Sequence, residues 1–236
     1  YAAPYQMPGI RRSLQKKQWL AESLGEDLVF LKADARGKCF IEYIPAENAW
    51  APIDAPGYMF IDCLWVSGSF KGHGYSNDLL NECIRNSREK GKSGLCILSS
   101  AKKRGFRADP KYLKYKCFIK ADSAEPYFEL MYLPFDPSAP APRFREQAKG
   151  AQTNGSEFEI FYTSQCPFTA KYVPLIKNMA NNMNLPLSAA HISSREQAQN
   201  APCAYTAFSL FYNGEFITHE IPSEKKFAAI CEEFVK

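Results

Sequence analysis

The sequence contains no run of about 20 apolar residues, and no charged leader precedes an apolar core. We therefore expect neither a membrane anchor nor an export signal. Its eight cysteines form no CxxC pair and no metal-ligand spacing, which argues against a metal site and predicts reduced thiols in a cytoplasmic protein. No strong charge excess is present either. The net charge of +4 is spread along the chain, so we expect no nucleic-acid partner.

What the sequence does contain is the balance of a folded protein, with 46% hydrophobic and 23% charged residues. A length of 236 residues suffices for one sizeable core and a second, smaller one. Four prolines from Pro134 to Pro142, followed by a Gly-, Gln-, Thr- and Asn-rich run, predict a linker over 137–156. It would separate a first domain, 1–136, from a second domain, 157–236. Position 1 is Tyr, which leaves open that the first strand of the first domain precedes it.

Hydrophobic patterning in the first domain predicts an α/β (α+β) arrangement. The predicted helices are 13–24, 75–90 and 110–115, and the predicted strands are 28–32, 38–44, 58–66, 94–98, 118–121 and 127–133. The first three strands are rich in Phe, Ile, Tyr and Val, and we expect them to be consecutive and antiparallel.

The second domain shows the pattern β-α-β-α-β-β-α. Its predicted strands are 158–162, 187–192, 205–212 and 215–219. Three helices are predicted: one that ends near 183, one over 195–199 and one over 225–235. Asn213-Gly214 between the last two strands is a strong hairpin signal.

A strand ending at Val66 leads through a glycine-containing loop directly into a helix. Several backbone N–H groups then converge at a helix N-terminus, which is an arrangement that binds phosphate, although the same glycines are equally compatible with a simple turn. We call residues 67–74 the glycine loop. The candidate phosphate-binding residues are Lys71, Gly72, His73, Gly74, Tyr75 and Ser76.

Lys71, Gly74 and Ser76 resemble the acetyl-CoA pyrophosphate loop of the GNAT family, whose pattern is Gln or Arg, two variable residues, Gly, one variable residue, then Gly or Ala. The segment Leu113 to Phe118 resembles that family's later Tyr-x-Lys-x-Gly-Phe segment. The resemblance implies a GNAT acyl-CoA N-acyltransferase fold with a mixed, mostly antiparallel sheet. It also implies acetyl-CoA as cosubstrate, an unidentified amine as acceptor, and pantetheine bound by the backbone of Leu64, Trp65 and Val66.

Chemistry on an amine requires a base, because the amine is mostly protonated at neutral pH. Glu42 and Asp62 are the candidates, since each lies in an otherwise apolar strand; the alternative is a carboxylate on a solvated strand face. Leu113 stands where the family often has a thiolate-protonating tyrosine. Tyr112 or Tyr115 would have to take that role, or else both are packing or surface aromatics.

Cys166 follows a predicted strand and precedes a predicted helix, a location expected to lower its pKa. The loop resembles the Cys-Pro-x-Cys loop of the thioredoxin family, except that Thr169 replaces the second cysteine and Thr206 stands at the cis-proline position. The element order of the second domain also resembles that family, which implies a smaller thioredoxin-like domain. Together the two domains resemble YoaP-like GNAT proteins. Two alternatives to the acetyltransferase remain: a monothiol redox or thiol-binding protein acting through Cys166, and a non-catalytic CoA-binding module.

Overall fold

The computed structural model describes residues 14–234. The first residue of the predicted helix 13–24 and the last residue of the predicted helix 225–235 therefore lie outside the described residues. The first half consists of α1 (Leu14–Leu24), β1 (Val29–Lys32), β2 (Cys39–Pro45), β3 (Ile53–Asp54), β4 (Tyr58–Val66), α2 (Tyr75–Glu89), β5 (Gly94–Ser100), α3 (Pro110–Tyr115), β6 (Ile119–Ala124) and β7 (Phe128–Pro134). Then follow β8 (Arg143–Phe144) and α4 (Glu146–Lys149). The second half consists of β9 (Phe158–Tyr162), α5 (Thr169–Asn182), β10 (Leu187–His191), α6 (Arg195–Gln199), β11 (Phe208–Tyr212), β12 (Glu215–Thr218) and α7 (Glu224–Phe234).

The sheet of the first half has six strands in the order β1-β2-β4-β5-β7-β6. All neighbours are antiparallel except β4 and β5, which are parallel. The expected mixed, mostly antiparallel sheet is therefore confirmed, as are the three consecutive antiparallel strands that open it.

A β-bulge in β4 changes the direction of this strand. Glu42 of β2 pairs with Cys63 and Tyr43 pairs with Ile61, so that Asp62 is the extra residue on β4. Pairing between β4 and β5 ends at Ile61, although β4 continues to Val66 and β5 to Ser100. The two central strands consequently diverge and leave a wedge-shaped opening in the sheet.

Each face of this sheet packs against different elements. One face is covered by α2 and α3, with Ile41, Met59, Leu80, Leu95 and Leu113 buried between them. On the opposite face, Phe60 and Trp19 belong to a hydrophobic cluster that also contains Ile192, Ala198 and Phe211. The second half thus packs directly on the sheet of the first half.

In the second half, four strands form a sheet in the order β10-β9-β11-β12, with β10 parallel and β11 antiparallel to β9. The observed element order is the predicted one, and the hairpin turns at Asn213-Gly214, both at positive φ. The central strand β11 is buried on both faces. Phe208 and Leu210 contact the α5 and α7 side, whereas Phe211 faces the first half.

The segment 137–156, predicted as a linker, contains β8 and α4, neither of which was predicted, and β8 pairs with the equally unpredicted β3. Phe144 and Ala148 are buried, and Gln152 forms a β-bridge with Glu215. This segment therefore packs against both halves. Among the helices of residues 14–234, we find none with the length and apolar character that spanning a membrane requires.

Candidate active site

A cavity of about 250 Å³ lies between the two halves, next to the point where β4 diverges from β5. Five of the predicted site residues line it: Glu42, Asp62, Leu64, Trp65 and Cys166. Several lining residues were not singled out in the sequence, among them Lys16, Arg107, Gln165 and Tyr205. Site residues predicted separately in the two halves therefore line the same cavity.

Asp62, the bulge residue, has an unusual carboxylate. Its Oδ2 atom is buried and has no hydrogen-bond partner among the described residues, whereas Oδ1 accepts a hydrogen bond from Gln165 Nε2 at 3.3 Å. Burial, and to a smaller extent the neighbouring Glu42 carboxylate, raise the pKa of Asp62 to about 7. The alternative of a carboxylate on a solvated strand face is wrong for Asp62. A proton acceptor with a pKa near neutrality suits general base catalysis.

Glu42 is only 4% exposed and forms an ion pair of 2.6 Å with the Lys16 Nζ atom of α1. The Lys16 ammonium also lies 4.3 Å from the centre of the Trp19 ring. The solvated-face alternative is wrong for Glu42 too. Because its charge is compensated by Lys16, Glu42 is less suited than Asp62 to take up a proton.

The side chain of Gln165 connects the second half to Asp62. Its Oε1 atom accepts a hydrogen bond from Thr163 Oγ1 at 2.9 Å and lies 3.2 Å from Thr206 Oγ1, which itself donates to the Trp50 carbonyl at 2.6 Å. These contacts direct the NH2 group of Gln165 towards Asp62. The Gln165 amide is thus held in place by Thr163 and Thr206.

Arg107 enters the cavity from the loop between β5 and α3. Its guanidinium lies 3.4 Å from the centre of the Tyr205 ring, and its Nε atom is buried without a hydrogen-bond partner among residues 14–234. Ser99 Oγ holds the end of this loop by donating to the Ala108 carbonyl at 2.8 Å. Nothing in the sequence distinguishes Arg107 from the other basic residues of the same loop.

A buried histidine fixes the start of this loop. His219 Nδ1 accepts a hydrogen bond from Tyr127 Oη at 2.8 Å, and Nε2 donates to the Gly105 carbonyl at 2.9 Å. Burial, with the nearby Arg107 charge as a second cause, lowers the pKa of His219 to about 4. The ring is therefore neutral at pH 7 and anchors the Arg107 loop to the second half and to Tyr127, the residue before β7.

The glycine loop leads from β4 into α2, as expected. Gly74 has φ 84°, a left-handed conformation that favours glycine, and α2 begins at the next residue. Within the described part of the chain, the backbone N–H groups of 72–76 donate to no carbonyl, so they are available at the positive end of the helix dipole. Lys71 and His73 are exposed beside them, while Asp78 adds a negative charge to the first turn.

The two candidate tyrosines occupy different environments. Tyr112 Oη donates to the Ser76 carbonyl at 2.9 Å, and burial raises the pKa of this phenol. Tyr112 therefore joins α3 to the first turn of α2, beside the glycine loop. Tyr115 is 76% exposed and does not line the cavity.

Cys166 lies in the cavity, but its pKa shifts in the direction opposite to the expected one. The Phe168 N–H group favours the thiolate, yet burial is the larger effect and raises the pKa. α5 begins only at Thr169, whose hydroxyl donates to the carbonyls of Thr163 and Cys166 at 2.9 and 2.7 Å. The expectation of a lowered pKa is wrong because the thiol is held among apolar cavity residues rather than at the helix end.

A family model described as YoaP-like matches residues 186–228. The protein named "Uncharacterized N-acetyltransferase YoaP" of Bacillus subtilis (strain 168) is 38% identical over 213 residues, which cover 90% of this chain and 85% of the relative. A GNAT-family acetyltransferase structure from Desulfovibrio desulfuricans is 16% identical and covers 50% of this chain and 77% of its own, with a TM-score of 0.40. Another from Elizabethkingia anophelis, with acetyl-CoA bound, is also 16% identical and covers 57% and 95%, with a TM-score of 0.39. The assignment rests on the sequence relative: the chain belongs to the family of YoaP N-acetyltransferases.

Proposed function

We propose that this protein transfers an acetyl group from acetyl-CoA to an amine bound in the cavity between its two halves. The observation that carries this proposal is the divergence of β4 from β5 after Ile61. It leaves strand backbone from Asp62 to Val66 free on the β5 side, between the cavity and the glycine loop. An extended pantetheine arm can pair with such a strand end, as the side chains of Leu64 and Trp65 line the cavity.

The glycine loop would hold the pyrophosphate of acetyl-CoA. Its free N–H groups and the N-terminus of α2 attract an anion, and Lys71 and His73 stand at its rim. Gly37 supports the loop from below: a Cβ atom at Gly37 would lie 2.1 Å from the Phe70 ring. The negative charge of Asp78 in the first turn of α2 repels a bound phosphate, and the positive charge of Lys71 would have to offset this repulsion.

Asp62 would be the general base. The acceptor amine attacks the thioester carbonyl, a C–N bond forms, the C–S bond breaks, and CoA leaves as its thiolate. Asp62 Oδ2 takes the proton that the amine loses. Glu42 remains paired with Lys16 and would tune Asp62 rather than accept the proton. Tyr112, whose phenol contacts Ser76 beside the glycine loop, is our candidate for protonating the leaving thiolate.

For the second half we propose a thioredoxin-like domain that closes the acceptor side of the acetyltransferase sheet. Its four-stranded sheet order and the position of the Cys166 loop before α5 support this. The boundaries 1–136, 137–156 and 157–236 remain our proposed division. A monothiol redox role for Cys166 is disfavoured, because burial raises its pKa and reduces the thiolate fraction.

Calorimetric titration with acetyl-CoA tests the proposal, using wild type and Gly74→Trp. Gly91→Trp is the matched control, since Gly91 also has positive φ with open space for a side chain but follows the opposite end of α2. We expect binding by wild type and Gly91→Trp and a loss of binding in Gly74→Trp. Asp62→Asn should still bind acetyl-CoA while turnover of an accepted amine falls by about 10²- to 10⁴-fold. Folded wild type that binds no acetyl-CoA would refute the proposed function.

A further inference from the structure

We propose that the acceptor is a small α-amino acid with an apolar side chain, whose amine lies at Asp62 and whose carboxylate lies at Arg107. This inference rests on the proposed acetyltransferase function and adds the chemical class of its acceptor. It follows from the size and walls of the cavity and from the buried polar atoms that Asp62 and Arg107 bring to it.

The size of the cavity favours a small molecule. Its volume of about 250 Å³ lies just below the range of roughly 300–1,000 Å³ that is typical of small-molecule sites. The second half covers the acceptor side of the sheet, and the Gln165–Asp62 hydrogen bond crosses between the halves. A cavity of this size between the two halves accommodates a free amino acid more readily than a folded protein surface.

The walls of the cavity carry several aromatic side chains. Phe30, Phe40 and Trp65 line it from the first half, and Phe106 and Phe168 stack edge to face at 6.1 Å across the two halves. An apolar side chain on the acceptor would be removed from water against these rings. A polar or charged side chain packed against these rings would lose hydration.

Asp62 and Arg107 each bring a buried polar atom without a hydrogen-bond partner, within the described residues, to this cavity. Lys16 and Glu42 compensate each other. Asp62 has a buried oxygen without a hydrogen bond, and Arg107 has a buried N–H without an acceptor and no ion pair within residues 14–234. Asp62 and Arg107 do not pair with each other, although both line the same cavity. An ammonium and a carboxylate on one small ligand would satisfy both groups.

Discrimination among acceptors follows from this arrangement. An amine that lacks the carboxylate leaves the buried Arg107 Nε–H group without an acceptor. Sites that hydrogen-bond a polar group of the substrate reject analogues without that group strongly. We therefore expect wild type to show a kcat/KM at least about tenfold higher for the amino acid than for its uncharged analogue.

The experiment measures product formation by mass spectrometry with acetyl-CoA and three acceptors: L-phenylalanine, L-phenylalanine amide and a lysine-containing peptide. We expect N-acetyl-L-phenylalanine as the preferred product. Arg107→Gln should reduce the preference for L-phenylalanine over its amide to about onefold, and Arg107→Lys should restore part of it. Arg104→Gln is the matched control. Arg104 belongs to the same loop as Arg107, and its guanidinium lies 3.6 Å from the centre of the Tyr127 ring, but it does not line the cavity. The preference for L-phenylalanine over its amide should therefore persist in this variant.

Equal or better use of the amide by wild type overturns the proposal, as does a preference for the peptide. Wild type alone decides these outcomes, even if the Arg107 variants fail to fold. Calorimetry with acetyl-CoA separates the two levels of inference. Acetyl-CoA binding without acetylation of L-phenylalanine rejects the acceptor class alone, whereas absence of acetyl-CoA binding rejects the acetyltransferase function and the acceptor class together.

Discussion

Replacing Asp62 by Asn should reduce turnover by about 10²- to 10⁴-fold and at the same time stabilise the fold above neutral pH. The folded pKa of Asp62 is raised from 3.8 to about 7 by burial and by Glu42. A carboxyl group whose pKa is raised on folding contributes stability that is lost as pH rises from the unfolded pKa through the folded one. Ionised Asp62 therefore destabilises the protein above pH 7, and Asn, which is uncharged, does not.

The structure gives the magnitude of this effect. A difference of about 3 pKa units corresponds to about 4 kcal/mol as an upper limit, at 1.36 kcal/mol per unit. Asp62 retains some solvent exposure at the cavity wall, which screens its charge. We therefore expect Asp62→Asn to raise the free energy of unfolding by about 2 kcal/mol at pH 8, and by less than half of that at pH 5.

Urea denaturation of wild type and Asp62→Asn at pH 5 and pH 8 measures the effect. Asp54→Asn is the control, because Asp54 forms a solvent-exposed ion pair with Arg143 and its removal should produce no stabilisation at either pH. If Asp62→Asn is no more stable than wild type at pH 8, the Asp62 carboxylate is not desolvated, and the argument for a general base with a pKa near neutrality fails.

Three further predictions concern other residues. The pKa of His219 is depressed from 6.5 to about 4 in the folded protein, so its contribution to stability, up to about 3 kcal/mol, should be lost as pH falls from about 6.5 towards 4. In urea denaturation, the stability of His219→Gln should depend less on pH than that of wild type. An equal pH dependence in the two proteins would contradict the buried neutral ring. Gln165→Met removes a donor to ionised Asp62 and should shift the pH–rate profile upward, by up to about one unit; a downward shift would exclude this role of Gln165. Cys117, directly after α3, has φ 63°, a left-handed conformation that favours glycine. Cys117→Gly should therefore stabilise the protein by about 0.5–1 kcal/mol in urea denaturation, whereas Cys117→Ala should not. Equal effects of the two substitutions would show that the backbone at this position is unstrained.

Local sequence patterns predicted much of the first half. Alternating aromatic and β-branched residues marked β2 and β4, and the glycine loop before α2 indicated a helix N-terminus with available N–H groups. The short elements β3, β8 and α4 were missed, because two- to four-residue elements carry too little periodicity. β3 and β8 form only because Ile53 and Phe144, distant in the chain, pair across the fold.

The candidate site was predicted only in pieces. Asp62 and Glu42 stood out as acids in apolar strands, but their different states depend on Lys16 and Gln165, which lie 26 and 103 residues away from their respective partners. Arg107 was missed because its role arises from the packing of Tyr205 and the anchoring of its loop by His219. The predicted direction of the Cys166 pKa shift was wrong for the same reason. Burial in the cavity raises this pKa more than the local N–H group before α5 lowers it.

The double-sided burial of β11 has a consequence for how this protein can be divided. Phe211 belongs to the same hydrophobic cluster as Phe60 and Phe128, while Phe208 and Leu210, on the same strand, belong to the core beneath α5 and α7. Expression of either half alone would expose one side of that shared cluster to water. We therefore expect the separate halves to aggregate and the intact chain to unfold in a single cooperative transition, so that acceptor cavity and fold are gained or lost together.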